Sequence, residues 1–316
     1  MSARTAASVE PQTTVAVPVD DRGGARGGRA RARPTWGFVE GDAIAEGRTV
    51  LRRLGGGVRY EVLLVWDDAR FAVLVAKVLR PDQREDPAAW RDIRREADAL
   101  QRLAHPSLVR GFDAVLDGRF PHLLIEHLEG PTLLALLERH GPLPPEQALP
   151  LALHVAAALH YLAGEDTVHL DVKPSNVVMG APPRLNDLSV TRSCAAAARL
   201  RRPVGTDAYM APEQCDPVRG PAGPPADVFG LGATLHHALA GRPPFPRPAG
   251  ARGSADPAVR FPQLVRAPER LPGALPPRLA ELIRAALEAD PAARPTAAAF
   301  AAGLEPLVAE LGPRAA

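Results

Sequence analysis

Residues 168–176 read Val-His-Leu-Asp-Val-Lys-Pro-Ser-Asn, so a carboxylate, an ammonium and a carboxamide fall within one short stretch. Asp171 is a group that takes a proton from an attacking hydroxyl. Lys173, two positions on, steadies negative charge, and the side-chain oxygen of Asn176 suits a hard cation. The proline between the charged pair and the carboxamide favours a fixed loop over a helix.

Such a loop needs rigid elements on both sides. Upstream, Leu149, Leu153, Ala156 and Leu159 make one face of a helix that stops at Gly164. Downstream, Val177-Val178-Met179 and Pro183-Arg184-Leu185-Asn186 read as strands of a short hairpin, which would return Asp187 to the side of Asn176. Far upstream, Lys77 interrupts the apolar strand-like run Val73–Leu79 and must snorkel or find a partner, because an unpaired buried ammonium is costly. A partner is available. Asp86-Pro87 reads as an N-cap followed by proline at the first helical position, and Trp90, Ile93, Ala97, Leu100 and Ala104 recur at helical spacing up to His105-Pro106. Glu96 sits beside that stripe, placed to face inward and meet Lys77. Before the lysine strand, Leu54-Gly55-Gly56-Gly57 opens a turn whose backbone can approach a ligand closely and offer amides to phosphates. A plain hairpin turn would have the same composition.

The chain has 316 residues, 46% of them hydrophobic and 23% charged, which is ordinary for a globular protein with room for two modest domains. Its 35 prolines and 27 glycines are too few for disorder throughout. Cys194 and Cys215 have neither metal-ligand spacing nor a disulfide framework, and His154, His160 and His169 lack acidic or cysteine partners at ligand spacing, so these histidines read as packing residues. The most apolar run, residues 148–164, is broken by Pro150, His154 and His160, and the N-terminus has no signal-peptide core. A cytoplasmic protein without membrane attachment is therefore expected. Residues 1–34 read as a disordered Arg/Gly-rich tail. No aromatic residue is interleaved with its arginines to stack on bases, which argues against nucleic acid as a partner. A net charge of +2 points to no particular partner, and oligomeric state is not legible.

These stretches together resemble the Hanks-type (eukaryotic-like) serine/threonine protein kinases of bacteria. The loop His169–Asn176 is similar to the H-R-D-L-K-P-x-N catalytic loop, and Asp187-Leu188-Ser189 stands where kinases carry D-F-G. Val204-Gly205-Thr206-Asp207-Ala208-Tyr209-Met210-Ala211-Pro212-Glu213-Gln214 resembles the substrate-docking loop and A-P-E motif. The resemblance covers about residues 48–310 and implies an α+β, two-lobed fold: a small antiparallel-sheet N-lobe with one main helix over 35–126, and a mostly helical C-lobe over 127–312.

It also implies roles. Asp171, Lys173, Lys77, Glu96 and Thr206 would carry catalysis, with ATP as phosphate donor and protein Ser/Thr hydroxyls as acceptors. Asn176 and Asp187 would hold Mg²⁺, or Mn²⁺. Leu54, Gly55, Gly57, Val62, Ala76, Lys77 and Val178 would bind the nucleotide, with Glu126 and Leu128 as the hinge backbone that meets adenine and Ile125 as gatekeeper. Arg294 would pair with Glu213, and Asp227 would anchor the catalytic loop. Three positions depart from the pattern. Tyr60 replaces the third glycine, which alters nucleotide affinity or loop mobility; Ser189 replaces the D-F-G glycine. Leu170 replaces the arginine that binds a phosphorylated activation loop, so activation-loop phosphorylation should not be needed. The alternative reading is a pseudokinase that binds nucleotide or a partner without turnover.

Overall fold

The computed structural model describes residues 33–311 except 252 and 274. The expected tail therefore lies outside the described residues, apart from residues 33 and 34. Strands β1 (Ala43–Ala45), β2 (Arg48–Gly56), β3 (Tyr60–Asp67) and β4 (Ala72–Leu79) form a meander. Helix α1 (Pro87–Arg102) follows, then β5 (Gly111–Val115) and β6 (His122–Glu126), which complete an antiparallel sheet in the order β1-β2-β3-β4-β6-β5.

Side-chain alternation gives this sheet two apolar faces. Tyr60, Val62, Val75, Leu79, Leu123 and Ile125 join the main core, with Ala89, Ile93, Ala97 and Leu100 of α1. Leu63, Val65, Leu74, Ala76, Val78 and Leu124 make the opposite face, against which Trp36, Phe38 and Phe120 pack. Trp36 is fixed there by its indole N–H on the Leu79 carbonyl, 2.8 Å, and its amide on Glu61, 2.7 Å. Helix α1 begins as its sequence implies, with the Asp86 carboxylate accepting from the Ala88 amide at 2.8 Å and Pro87 at the first turn. It ends two residues before Ala104, because Leu103 turns to extended backbone while its amide still bonds Ala99.

After β6 the chain is mostly helical. Helix α2 (Leu133–His140) and α3 (Pro145–Gly164) lead to β7 (Thr167–Val168), β8 (Val177–Val178) and β9 (Arg184–Leu185), then β10 (Arg192–Ser193), which pairs with β7. Short helices α4 (Cys194–Ala198) and α5 (Pro212–Cys215) precede α6 (Pro224–Ala240), whose residues 226–239 are all buried. Helices α7 (Pro257–Arg260), α8 (Pro277–Ala286) and α9 (Ala297–Leu311) complete the chain, with α9 packed along α3 and α8 against α6. Among the described residues no helix is long and apolar enough to cross a membrane.

Candidate active site

The loop after β7 is held by α6. The amides of His169 and Leu170 donate to the two oxygens of Asp227, each at 2.7 Å, and burial pushes that carboxyl's pKa up. His169 is buried, with Nε2 3.1 Å from the Asn186 carbonyl and Nδ1 accepting from the Asp171 amide. His154 meets the Ser107 hydroxyl at 3.1 Å and His160 is exposed, and no metal-binding cluster of His, Cys, Asp and Glu occurs among the described residues. So braced, the loop closes a polar triangle. The Thr206 hydroxyl donates to Asp171 Oδ1 at 2.7 Å, Lys173 Nζ donates to the Thr206 oxygen at 2.7 Å, and Lys173 lies 2.8 Å from Asp171 Oδ2. Asn176 Nδ2 binds back to the Asp171 carbonyl at 2.8 Å.

The hairpin β8–β9 returns the chain as expected, with the Asn186 amide on the Asn176 carbonyl at 2.7 Å. Lys77 pairs with Glu96 and, at 3.0 Å, with Asp187. Burial alone would lower the lysine's pKa, but Asp187 and Glu96 outweigh it and hold the ammonium above its ordinary range. Leu188 fills an apolar slot in the main core. The fit for a divalent cation rests on one observation: Asn176 Oδ1 is buried without a hydrogen-bond partner. An orphaned amide oxygen beside a carboxylate is the donor chemistry a hard cation takes.

On the nucleotide side, Val62 lies opposite Lys77 in the β3–β4 ladder and Val178 is buried in β8. Leu54 is half-buried against the main core and Leu128 is buried there. The Glu126 amide is spent within the sheet on the Arg110 carbonyl, 2.8 Å, and its carboxylate pairs with Arg184 of β9 at 2.9 Å. The Gly57 carbonyl accepts from Arg80 at 2.8 Å. Gly55 and Gly56 both have positive φ, and a Cβ on Gly56 would come 2.3 Å from the Tyr60 carbonyl, so the tightest steric demand falls on the middle glycine. Ala76 requires a correction. It packs in the outer cluster with Leu74 and Val78, away from the cleft, because strand side chains alternate. Val75, two residues before Lys77, is the residue that shares the lysine's face.

The segment 188–212 is tied to the loop by contacts the sequence reading missed. Gln214 Nε2 donates to the carbonyls of Leu170 and Val204 at 2.9 and 2.8 Å. A Cβ on Gly205 would meet the Leu170 carbonyl at 2.6 Å, which excludes every residue but glycine from that close approach. Leu170 has φ 65, an uncommon backbone for leucine, and is buried with Val168, Val190, Ala197 and Ala222, beside Leu200 and Val204. Glu213 and Arg294 form a bidentate pair at 2.7 and 2.9 Å with both side chains buried.

A two-lobed architecture with this lysine–glutamate pair and this anchored loop is that of a protein kinase domain. The family model for the protein kinase domain matches residues 48–303, and the chain belongs to that family. Among curated proteins it is 33% identical to serine/threonine-protein kinase PknB of Mycobacterium leprae over 61% of this chain and 32% of that one. It is 33% identical to serine/threonine-protein kinase PkaA of Streptomyces coelicolor over 75% and 43%, and 35% identical to serine/threonine-protein kinase PknL of Mycobacterium tuberculosis over 69% and 55%. The chain thus spans about a third to a half of the length of these relatives.

Proposed function

We propose that this chain is an ATP-dependent serine/threonine protein kinase. The Asp171–Lys173–Thr206 triangle carries the reading: a carboxylate is held beside a cation and a hydroxyl at the segment where an acceptor would dock. Asp171 takes the proton of the acceptor hydroxyl as its oxygen attacks the γ-phosphorus of ATP and ADP leaves, and Lys173 offsets charge on the transferring group. Lys77, held by Glu96, positions the phosphates, while Val62, Val75 and Val178 enclose the base. Asn176 and Asp187 would hold Mg²⁺, and their oxygen donors also suit Mn²⁺. When bound, the cation neutralises charge on the phosphate oxygens. Every charge-bearing group of the reaction is present, so no observation favours the pseudokinase alternative. Incubation with Mg²⁺-ATP and a generic basic acceptor protein should yield phosphoserine or phosphothreonine by mass spectrometry; ATP binding without transfer would overturn the proposal.

The proposal includes independence from activation-loop phosphorylation. Leu170 offers a phosphate no charge and instead packs the segment through apolar contacts. The Thr191 hydroxyl is buried without a partner, Ser193 caps α4 by accepting from the Ala196 amide at 3.2 Å, and Thr206 is bound to Asp171. The Thr191→Ala, Ser193→Ala double variant is expected to lose about 1 kcal/mol of stability from the cap. It should retain most of its transfer rate at a temperature where it stays folded. Loss of most of that rate would sink the idea.

A further inference from the structure

Tyr60 takes a position that the reaction does not explain. It opens β3 and, by alternation, shares the cleft-side face with Val62. The centre of its ring lies 5.1 Å from Lys77 Nζ, a cation–π contact. The residue is 6% exposed, and its hydroxyl is buried with no hydrogen-bond partner. Burial, reinforced by the nearby Glu96 carboxylate, raises the phenol's pKa, so the side chain stays neutral. The turn carrying it is clamped. Arg80 donates from Nε to the Gly57 carbonyl and from its amide to the Arg59 carbonyl, at 2.8 and 2.9 Å, and Arg59 pairs with Asp92 on α1.

Lys77 is therefore met by Glu96, Asp187 and an aromatic ring. A phosphate oxygen approaching that ammonium takes the third N–H, which the ring covers, or the place of Asp187. The Glu96 pair is the lysine's support and Asp187 would turn to the cation, whereas the ring has no other role in the site and still covers the ammonium. We propose that Tyr60 sets the nucleotide preference of this chain: its ring fills the phosphate end of the cleft over Lys77 and must leave before ATP binds fully. The inference rests on the nucleotide reading of the site. Tyr60 lowers affinity for ATP and leaves adenosine untouched, because adenosine ends before the phosphates and meets only Val62, Val75, Val178 and the strand end at Glu126–Leu128.

Calorimetric titration of the full chain with Mg²⁺-ATP and with adenosine separates these terms. Tyr60→Ser is expected to bind ATP about tenfold more tightly, a difference of about 1.4 kcal/mol, with adenosine within about twofold of wild type. Tyr60→Phe should match wild type for both ligands, because the ring and not the hydroxyl fills the space. Tyr60→Leu keeps apolar volume at the start of β3 but cannot reach Lys77, and should show the same gain if the serine variant fails to fold. Unchanged or weaker ATP binding in the serine and leucine variants, with adenosine binding retained, would overturn the proposal. So would weaker ATP binding in Tyr60→Phe, which would make the hydroxyl a phosphate ligand. Failure of every form to bind adenosine would instead remove the nucleotide reading on which it stands.

Discussion

Replacing Asp171 by asparagine is expected to lower phosphate transfer by about 10²–10⁴-fold, the usual contribution of a positioned proton acceptor. The substitution preserves shape. An amide oxygen could still accept the Thr206 hydroxyl, which now lies 2.7 Å from Oδ1, and Asp227 would still hold the loop through the amides of His169 and Leu170. What is lost is the base itself and the negative partner of Lys173, 2.8 Å away. ATP binding should change little, because Lys77, Glu96 and the β3–β4 wall are untouched. Single-turnover transfer read by mass spectrometry, beside ATP titration, checks both halves. A variant keeping more than about a tenth of the wild-type rate would mean that Asp171 is not the proton acceptor.

The largest effect on stability is expected from Glu213→Ala. The Arg294 side chain is wholly buried, and its guanidinium also donates to the carbonyls of Pro225, Glu288 and Ala289 and stacks 5.0 Å from the centre of the Phe229 ring. Those groups orient the cation but do not neutralise it. Removing the carboxylate leaves an uncompensated buried charge at a cost of about 3–5 kcal/mol. That is a large share of the roughly 5–15 kcal/mol by which a folded domain is usually stable. Denaturant unfolding should show the midpoint falling with little change in slope. The double variant Glu213→Leu, Arg294→Met should recover much of the loss, since neither charge then remains buried. A loss below about 1 kcal/mol in Glu213→Ala would show that water reaches the arginine and relieves it.

Both predictions concern residues that can be read from the sequence, Asp171 from its company with Lys173 and Asn176 in one short stretch. A charge in an apolar setting must be answered, so Lys77 in its strand called for Glu96, while the Glu213–Arg294 pair was legible only through the resemblance to protein kinases. Helix starts were legible where a cap and a proline coincide, as at Asp86-Pro87. Helix α6 was not legible from periodicity, because residues buried on every side leave no polar stripe. Ala76 was misplaced by following adjacency to the lysine, whereas the two-residue period of a strand puts Val75 on the lysine's face. The inward ring of Tyr60 depends on Arg80 and Arg59 pinning the turn, and contacts across 23 and 33 positions leave no local signal. Gln214 stands next to Glu213 but its role was not legible, because its side chain acts on the carbonyls of Leu170 and Val204, 44 and 10 positions away.

The apolar seat of Leu170 also constrains how this chain could change over generations. A phosphate-operated loop needs two alterations, an arginine in place of Leu170 and an accessible hydroxyl opposite it. An arginine arriving first would place an unpaired cation among Val168, Val190, Ala197 and Ala222 and loosen the segment. A hydroxyl arriving first would, once phosphorylated, meet an apolar side chain and not an arginine at position 170. Neither step alone makes a switch, so the packing around Leu170 favours one arrangement of the loop. Changes that tune output are then expected where one substitution suffices.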